Sequence, residues 1–244
     1  MKIAVVGAAG RMGQSVCEAI EGAEDLELVA RLDHDDEISA DSLEGAEVVV
    51  EFTVPSATDA NVHAILDAGA HAVVGTTGWT DERLAEVERH AKRVGKNAII
   101  APNYALSAVL AMAFAHKAAT MFESVEVIEL HHPDKVDAPS GTATTTAQRI
   151  GEARAEAGMT SPDATETDPH GTRGGVIEGV NVHAVRLRGL YAHEEILLGN
   201  PGEQLTIRQD SFGRESFMPG ILLAVRSVGS REGLTYGLEP LLDI

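Results

Sequence analysis

The stretch "KIAVVGAAGRMGQSVCEAI", residues 2–20, joins a short apolar run to a glycine-rich segment and then to apolar residues at helical spacing. The run "KIAVV" is typical of a buried strand, and Met12, Val16 and Ile20 recur every four positions, as on one face of a helix. The stretch therefore predicts a strand, a tight turn and a helix.

The turn "GAAGRMG" is a GxxGxxG variant of the dinucleotide fingerprint. Glycines at these positions let the backbone approach a pyrophosphate, which then lies at the positive end of the helix. Asp33 ends the second predicted strand, where an acid accepts hydrogen bonds from the ribose hydroxyls of adenosine. The alternative is a tight turn without a ligand. The predicted cofactor-binding residues of this part are Gly7, Ala8, Ala9, Gly10, Arg11, Met12 and Asp33.

Further strands and helices alternate after this unit, which predicts a parallel sheet covered by helices on both faces. Strands are predicted at 26–33, 46–53, 70–77 and 96–103, with helices at 57–69 and 81–95. Two of these strands end in "VVGTTGW" and "IIAPNY", at the edge where open parallel sheets bind ligands. Candidates for the nicotinamide end, with a plain loop as the alternative, are Gly75, Thr76, Thr77, Ala101, Pro102, Asn103 and Tyr104.

The residues around Asp33 bear on the choice between NADH and NADPH. His34, Asp35 and Asp36 follow it, and Arg11 and Arg31 are the nearby cations. NADPH requires a cation beside its extra phosphate. We therefore expect NADH to serve at least as well as NADPH.

The pattern changes near residue 104. A helix is predicted over 106–122, a strand over 124–132, a helix over 140–158 and a polar loop over 160–175. Alternating apolar and polar residues then predict strands within 176–189, 191–200 and 203–210, and a helix over 214–229 has an apolar stripe that could pack on the first domain.

The predicted fold is α/β, with a Rossmann-like parallel-sheet domain and a second α+β domain with a mixed or antiparallel sheet. The predicted dinucleotide-binding domain comprises 1–104 and 214–244, and the predicted substrate-binding and oligomerisation domain comprises 105–213.

Composition limits the partners. The 244 residues include 38 Asp and Glu against 19 Lys and Arg, a formal charge of −19. We expect no nucleic-acid partner, because nothing neutralises phosphates in bulk. The acids are dispersed, which predicts a solvated acidic surface and suggests adaptation to a salt-rich cytosol.

No apolar run approaches the length of a membrane span, and the chain begins directly with a strand pattern. We expect a cytoplasmic protein without a membrane partner. Cys17 is the only cysteine and lies on a predicted helix face, where we expect a buried structural thiol rather than a nucleophile.

A second unusual stretch, "ELHHPDKVDAPSGTA", spans residues 129–143. His131 and His132 would point to opposite sides of an extended strand, so both can line one pocket only if the chain bends, as Pro133 allows. Lys135 and the backbone amides of 140–142 add donors that suit a dicarboxylate. Ser140 is the predicted N-cap, and capping alone is the alternative for this turn.

A metal site is not expected in this stretch, since the spacing matches no zinc motif and a lysine in its middle would repel the ion. His183, on an alternating strand, is expected to be structural.

These motifs resemble those of the 4-hydroxy-tetrahydrodipicolinate reductase family, historically called dihydrodipicolinate reductase. The resemblance covers nearly the whole chain and includes "VVGAAGRMG", "EFTVPSAT", "GTTGW", "APNYALSAVL", "ELHHPDKVDAPSGTA", "RGGVIEGVNVHAVRLRG" and "AHEEILLGNPGEQLTIRQDSFGRESFMPG". It implies a two-domain enzyme of the diaminopimelate route to lysine, usually a homotetramer joined through the second sheet.

In such an enzyme NAD(P)H delivers hydride to a cyclic dicarboxylate imine. By motif match, His131 would be the general acid and Lys135 its partner, while His132, Gly141 and Thr142 would contact the substrate. This is chemically consistent, because hydride addition leaves electron density that a nearby acid must quench.

Two positions depart from the family pattern. Ala105 stands where serine is usual, with Ser107 two places on, and Asp134 stands where many relatives carry a basic or neutral residue. Asp134 could pair with Lys135 or serve only the acidic surface. Two other functions remain open: another nicotinamide-dependent enzyme such as an aspartate or homoserine dehydrogenase, and a dinucleotide-sensing module without chemistry.

Overall fold

The computed structural model describes residues 1–242 and 244. The first half of the chain contains β1 (Lys2–Val6), α1 (Arg11–Glu21), β2 (Glu27–Leu32), β3 (Val48–Glu51), α2 (Thr58–Asp67), β4 (His71–Val74), α3 (Asp81–Val94), β5 (Ala98–Ile100) and α4 (Leu106–Ala118). The second half contains β6 (Ser124–His131), α5 (Gly141–Glu156), β7 (Gly175–Ile177), β8 (Val180–Arg186), β9 (Ala192–Asn200), β10 (Glu203–Ser211), α6 (Met218–Ser227) and β11 (Leu234–Tyr236).

The chain divides into two compact units. Unit 1 comprises residues 1–106 and 214–244, and unit 2 comprises residues 107–213. Within the part of the chain that the structure describes, no helix is both long and apolar enough to cross a membrane.

Unit 1 is built on a six-stranded parallel sheet in the order β11-β5-β4-β3-β1-β2. The predicted parallel sheet is confirmed. Its inner strands β3, β4 and β5 are nearly continuous apolar runs because both of their faces are buried. Val49, Val74 and Ile100 pack with Val62 of α2 and Val87 of α3 in one core.

The sequence patterns missed one strand of this sheet. Leu234–Tyr236 pairs in parallel with Ala98–Ile100 and extends the edge of the sheet. A segment of three residues is too short to show a hydrophobic period. Pairing with β5 is what makes Leu234–Tyr236 a strand.

The predicted packing of the helix near 214–229 on the first domain is confirmed, since α6 contacts α1 and β4. Cys17 is a buried free thiol on α1, as expected.

Unit 2 is built on a mixed five-stranded sheet in the order β10-β9-β6-β8-β7. β6 lies parallel to β8 and antiparallel to β9. Val127, Val182 and Ile196 of this sheet form a core with Ala115 of α4 and Ile150 of α5. The expectation of a second domain with a mixed sheet is confirmed.

Two boundaries in unit 2 differ from the sequence patterns. The segment 176–189 is divided by a turn at Glu178 and Gly179, both at positive φ (46° and 77°), which separates β7 from β8. The helix predicted over 106–122 ends at Ala118, where a turn leads into β6.

Candidate active site

The glycine loop of unit 1 is packed so tightly that side chains are excluded at two of its positions. Gly7 has φ +83°, and a Cβ there would lie 2.1 Å from the carbonyl oxygen of Phe52. A Cβ on Gly13 would lie 2.0 Å from the carbonyl oxygen of Gly7. Gly10 precedes α1 and has no side chain to cap it, so the first-turn amides of an 11-residue helix are left to bind an anion.

Asp33 lies beside this loop. Its Oδ2 accepts a hydrogen bond from the Ala9 amide at 2.7 Å, and its Oδ1 accepts one from the His34 amide at 3.0 Å. These two bonds, that of Ala9 first, lower the pKa of the Asp33 carboxyl. The acid predicted from strand β2 is thus ionised and in contact with the glycine loop.

A pocket of about 350 Å³ brings these residues together. Gly7, Gly10 and Asp33 line it, along with Phe52 and Thr53. The last two were not identified as site residues from the sequence, although they are the last two residues of a predicted parallel strand and directly follow β3. A cradle that a Cβ would fill, next to an ionised acid, suits the pyrophosphate and ribose of a dinucleotide.

A buried glutamate supports the rim of this pocket and was also missed. Glu51, the last residue of β3, is fully buried. It accepts hydrogen bonds from the hydroxyls of Thr53 and Thr58, the latter at 2.9 Å, and from the Asn61 amide at 3.3 Å. These bonds hold the start of α2 against the end of β3.

The candidates at the ends of β4 and β5 divide into internal and exposed residues. Thr76 is buried and its hydroxyl accepts from the Thr53 amide at 2.7 Å, while the buried Tyr104 hydroxyl donates to the Val74 carbonyl at 2.8 Å. Burial raises the pKa of Tyr104. Thr77 and Pro102 are exposed.

The remaining candidates of this group are packed against the chain around them. Gly75 lies under the Phe52 ring, where a Cβ would approach within 1.9 Å. Ala101 is buried, and the Asn103 side-chain oxygen accepts from the Ala105 amide at 2.9 Å. Ser107, two positions further on, donates its hydroxyl to Gln209 at 3.4 Å.

In unit 2, His131 is the last residue of β6, and the chain turns directly after His132. The His131 imidazole is largely buried and its Nδ1 donates to Glu129. The ring of His132 lies 6.4 Å from that of Tyr191. The bend expected at Pro133 is present, as the Lys135 amide donates back to the His132 carbonyl at 3.3 Å.

Glu129 is the central group of this cluster, and sequence reasoning gave it no role. It is fully buried, and both of its oxygens accept from Arg186, at 2.8 and 2.9 Å. The Ser140 amide donates to the same carboxylate at 3.3 Å. The signal in the sequence was a glutamate on an inward-facing strand position, but its partner Arg186 is far away in the chain.

Lys135 pairs with Asp137 rather than with Asp134. Its ammonium donates to both Asp137 oxygens, at 2.8 and 3.0 Å. This bond lowers the pKa of the Asp137 carboxyl. Asp134, the alternative partner of Lys135, lies instead on the exposed surface.

Helix α5 begins beside these side chains. Ser140 is its N-cap, as predicted, and its hydroxyl accepts from the Ala143 amide at 3.1 Å. Gly141 is exposed, with open space where a Cβ would be, and Thr142 follows it in the first turn. The structure therefore places all five predicted residues of unit 2 within one strand end, one turn and one helix start: His131, His132, Lys135, Gly141 and Thr142.

The pKa of the His131 imidazole is lowered overall, although the groups around it act in opposite directions. Burial lowers the pKa of its imidazole, the bond to Glu129 raises it, and Lys135 and Arg186 lower it. His183 of β8, by contrast, pairs with Glu126 of β6 at 2.7 Å, away from this cluster. Among residues 1–242 and 244, no cluster of three or more acidic, histidine or cysteine side chains is arranged to hold a metal ion.

The parallel sheet, the glycine loop with its ionised acid and the histidine–lysine cluster define a nicotinamide-dependent oxidoreductase. Comparison with known proteins identifies the family. The profile described as "Dihydrodipicolinate reductase, N-terminus" matches residues 1–104, and "Dihydrodipicolinate reductase, C-terminus" matches residues 107–242. The chain belongs to this family, as its sequence motifs suggested.

Similar proteins support the same assignment. A 4-hydroxy-tetrahydrodipicolinate reductase from Beutenbergia cavernae is 59% identical over 100% of this chain and 99% of its own, and one from Streptomyces griseus is 56% identical over 100% and 98%.

Among solved structures, the dipicolinate-bound dihydrodipicolinate reductase from Paenisporosarcina sp. TG-14 is 37% identical, with a TM-score of 0.88 over 98% of both chains. The amine dehydrogenase from Mycobacterium smegmatis, 12% identical with a TM-score of 0.64 over 96% and 94%, shares the fold alone.

Proposed function

We propose that this chain reduces 4-hydroxy-tetrahydrodipicolinate to tetrahydrodipicolinate with NAD(P)H, as a cytoplasmic enzyme of lysine and diaminopimelate biosynthesis. The observation that carries the proposal is the cluster at the end of β6. There a largely buried, oriented imidazole, a paired lysine and the first turn of α5 lie within residues 131–142. Such a set provides an acid, a cation and backbone donors for a cyclic dicarboxylate.

The two parts of the chain have different tasks in this proposal. Residues 1–104 and 214–244 bind the dinucleotide, with the pyrophosphate at Gly7–Met12 and the adenosine ribose at Asp33. The segments at 75–77 and 101–104 lie at the carboxyl ends of β4 and β5, the edge where parallel sheets bind ligands, and take the nicotinamide end. Residues 105–213 bind the substrate.

In the reaction, His131 gives up a proton and Lys135 stabilises charge. When bound, the nicotinamide supplies a hydride to the conjugated imine system of the substrate. This addition displaces an electron pair of the substrate, which takes up the proton of the His131 imidazole. Until the proton is transferred, the Lys135 ammonium stabilises the negative charge on the substrate. The substrate carboxylates bind the amides of Gly141 and Thr142 and the His132 side chain.

NADH should serve at least as well as NADPH. Asp33 and Asp36 both line the pocket at the ribose position and would repel a 2′-phosphate. Of the two nearby cations, Arg31 is already paired with Glu21. This leaves Arg11, exposed at the start of α1, to face a phosphate.

We also propose that the protein assembles as a homotetramer through the sheet of unit 2. Val176 on β7 and Leu205 on β10 are exposed large apolar side chains of this sheet. Sedimentation velocity is the measurement: a single species of four chains is expected, and a monomer at micromolar concentration would contradict it.

The decisive test of function is NADH oxidation, followed by absorbance, with substrate generated enzymatically in the cuvette. Oxidation that depends on the substrate-generating enzyme is expected. NADH binding without turnover would indicate a sensing module, and turnover with aspartate semialdehyde instead would indicate a homoserine-type dehydrogenase.

A further inference from the structure

Four donors converge on the Glu129 carboxylate from separate parts of unit 2. They are the His131 Nδ1 from its own strand, the two terminal nitrogens of Arg186 from β8, and the Ser140 amide from the start of α5. A fully buried carboxylate with this many partners has one orientation, because moving it would strand several polar groups without hydrogen bonds.

Arg186 extends the arrangement to the lysine. Besides its two bonds to Glu129, its guanidinium donates to the Asp137 carbonyl at 2.7 Å. The Asp137 side chain in turn accepts from the Lys135 ammonium at 2.8 Å. One carboxylate thus connects the histidine, the turn that carries the lysine and the N-cap residue of α5.

A second buried glutamate faces Glu129 from the neighbouring strand. Glu194 lies directly opposite Glu129 on β9, and its Oε2 accepts from the Thr146 hydroxyl at 3.1 Å. Burial raises the pKa of Glu194 to about 7, and the charge of Glu129 adds to the rise. Two like charges on adjacent strands are unfavourable, and Arg186 pairs with Glu129 rather than with Glu194.

We propose that Glu129 is the positioning residue of this site, holding Nδ1 of His131 so that Nε2 is the proton-donating nitrogen, and aligning Lys135 and the start of α5 through Arg186 and Ser140. This role rests on the proposed function. Transfer of the Nε2 proton leaves the neutral imidazole with its proton on Nδ1, the form that Glu129 binds, so no rearrangement follows proton transfer.

The pH dependence follows from the groups around His131: Glu129 on its own strand, Arg186 from β8, Glu194 from β9, and Lys135 and Asp137 from the following turn. Glu129 raises the pKa of His131 against burial and the two cations. Replacing it with glutamine therefore lowers that pKa further. If the protonated imidazole is the acid, activity is then lost at a lower pH.

Glu129→Gln is the test, with Glu126→Gln as its matched control. Glu126 lies on the same strand and also binds one histidine and one arginine, His183 at 2.7 Å and Arg173 at 2.5 Å. Glu129→Gln is expected to lower kcat at least about tenfold, to move the basic limb of the kcat profile to lower pH and to leave NADH affinity unchanged. Glu126→Gln should stay within about twofold of wild type in kcat, because its partners His183 and Arg173 are not residues of the site.

A folded Glu129→Gln enzyme with wild-type kcat and pH profile would overturn the proposal. So would an equal loss in both variants, because that would be a general effect of weakening β6.

A measurement without turnover separates this proposal from the proposed function. In ¹⁵N spectra of the wild-type protein, with the His131 signal assigned through His131→Gln, neutral His131 is expected to carry its proton on Nδ1. A proton on Nε2 refutes the Glu129 contact even if the enzyme is active. An Nδ1 proton in a protein that does not reduce the substrate leaves the contact standing and refutes the function alone.

Discussion

At the scale of single residues, the site of unit 2 depends on an imidazole that is costly to charge and yet firmly oriented. Burial lowers the pKa of His131, and its bond to Glu129 works in the opposite direction. The Lys135 ammonium is held by Asp137 beside it. Both groups lie in unit 2, whereas the pocket proposed for the dinucleotide lies in unit 1, so proton transfer and cofactor binding can be measured separately.

His131→Ala and Lys135→Ala should each lower kcat, by about 10² to 10⁴ for a positioned acid, and leave the dissociation constant of NADH unchanged. The kcat of the double variant should be little lower than that of the more damaged single variant, since the effects of groups acting as a unit are non-additive.

His132→Ala should raise KM for the substrate more than it lowers kcat. Steady-state kinetics and fluorescence titration of NADH measure these effects. A folded His131→Ala enzyme with near-normal kcat would move the proton donor to Lys135 or to water.

Asp33→Asn tests the ribose contact while an oxygen remains to accept from Ala9. We expect NADH to bind more weakly relative to NADPH, with the affinity ratio changing roughly tenfold, because a hydrogen bond to a charged group is worth about 1.5 kcal/mol. Asp35→Asn, at an exposed neighbour, is the control. Equal changes for both cofactors in Asp33→Asn would place the ribose acid elsewhere, with Asp35 the next candidate.

Glu194 should make stability depend on pH. Its pKa is about 7 in the folded protein, above the ordinary value of 4.5. Its contribution to the free energy of unfolding is therefore complete below about pH 4.5 and is lost as pH rises through 7. Glu194→Gln cannot ionise and keeps an acceptor for Thr146. Between pH 5 and pH 8 it should gain about 2 kcal/mol in unfolding free energy relative to wild type. Urea denaturation measures this difference.

Glu195→Gln is the control for that experiment, because Glu195 is the next residue on β9 and pairs with Arg208 at 2.7 Å. The unfolding free energies of Glu194→Gln and wild type could instead change in parallel across the pH range. The buried carboxyl would then be ionised at neutral pH in both the folded and the unfolded protein, and the raised pKa would be wrong.

At the scale of elements, α1 must approach the glycine loop closely for its first-turn amides to face a ligand. Gly13→Ala would place a Cβ 2.0 Å from the Gly7 carbonyl, whereas Gly22→Ala, at the C-cap of the same helix, would place one 3.4 Å from the Glu18 carbonyl. We expect Gly13→Ala to lose about 1–3 kcal/mol of stability and to weaken NADH binding. Gly22→Ala should stay within about 0.5 kcal/mol of wild type.

Urea midpoints and NADH titrations of the two variants measure this difference. Equal midpoints would mean that α1 moves away from the loop at little cost. The tight packing of Gly13 would then not be required for the site.

At the scale of the whole molecule, a formal charge of −19 implies self-repulsion among dispersed carboxylates. Raising KCl from about 0.1 to 2 M shortens the screening length from about 10 to about 2 Å. The melting temperature and activity should therefore rise with KCl at neutral pH. The rise in melting temperature should shrink near pH 4.8, the isoelectric point. A melting temperature that does not change with KCl concentration would contradict the salt-adaptation hypothesis.

The sequence by itself determined the fold class and the family, and it predicted the location of both candidate sites. Apolar runs, helical spacing and the glycine turn are local signals, and each is read within a few turns of one element. The pocket of unit 1 was predicted from the order of its parts: a strand, the glycine loop, a helix and then Asp33 after β2. The segment from His131 to Thr142 is likewise continuous in the chain, so its residues were predicted together.

Only the tertiary structure decided which partner each polar side chain takes. Arg186 reaches Glu129 across 57 positions of the chain, and Glu194 faces Glu129 because β9 pairs with β6 in one register. The same pairing of distant strands produced β11 beside β5. Tyr104 and Thr76, predicted as ligand contacts, use their hydroxyls inside unit 1. These choices depend on strand register and burial, which no local pattern contains, because a buried polar group takes whatever partner the packing brings within hydrogen-bond distance.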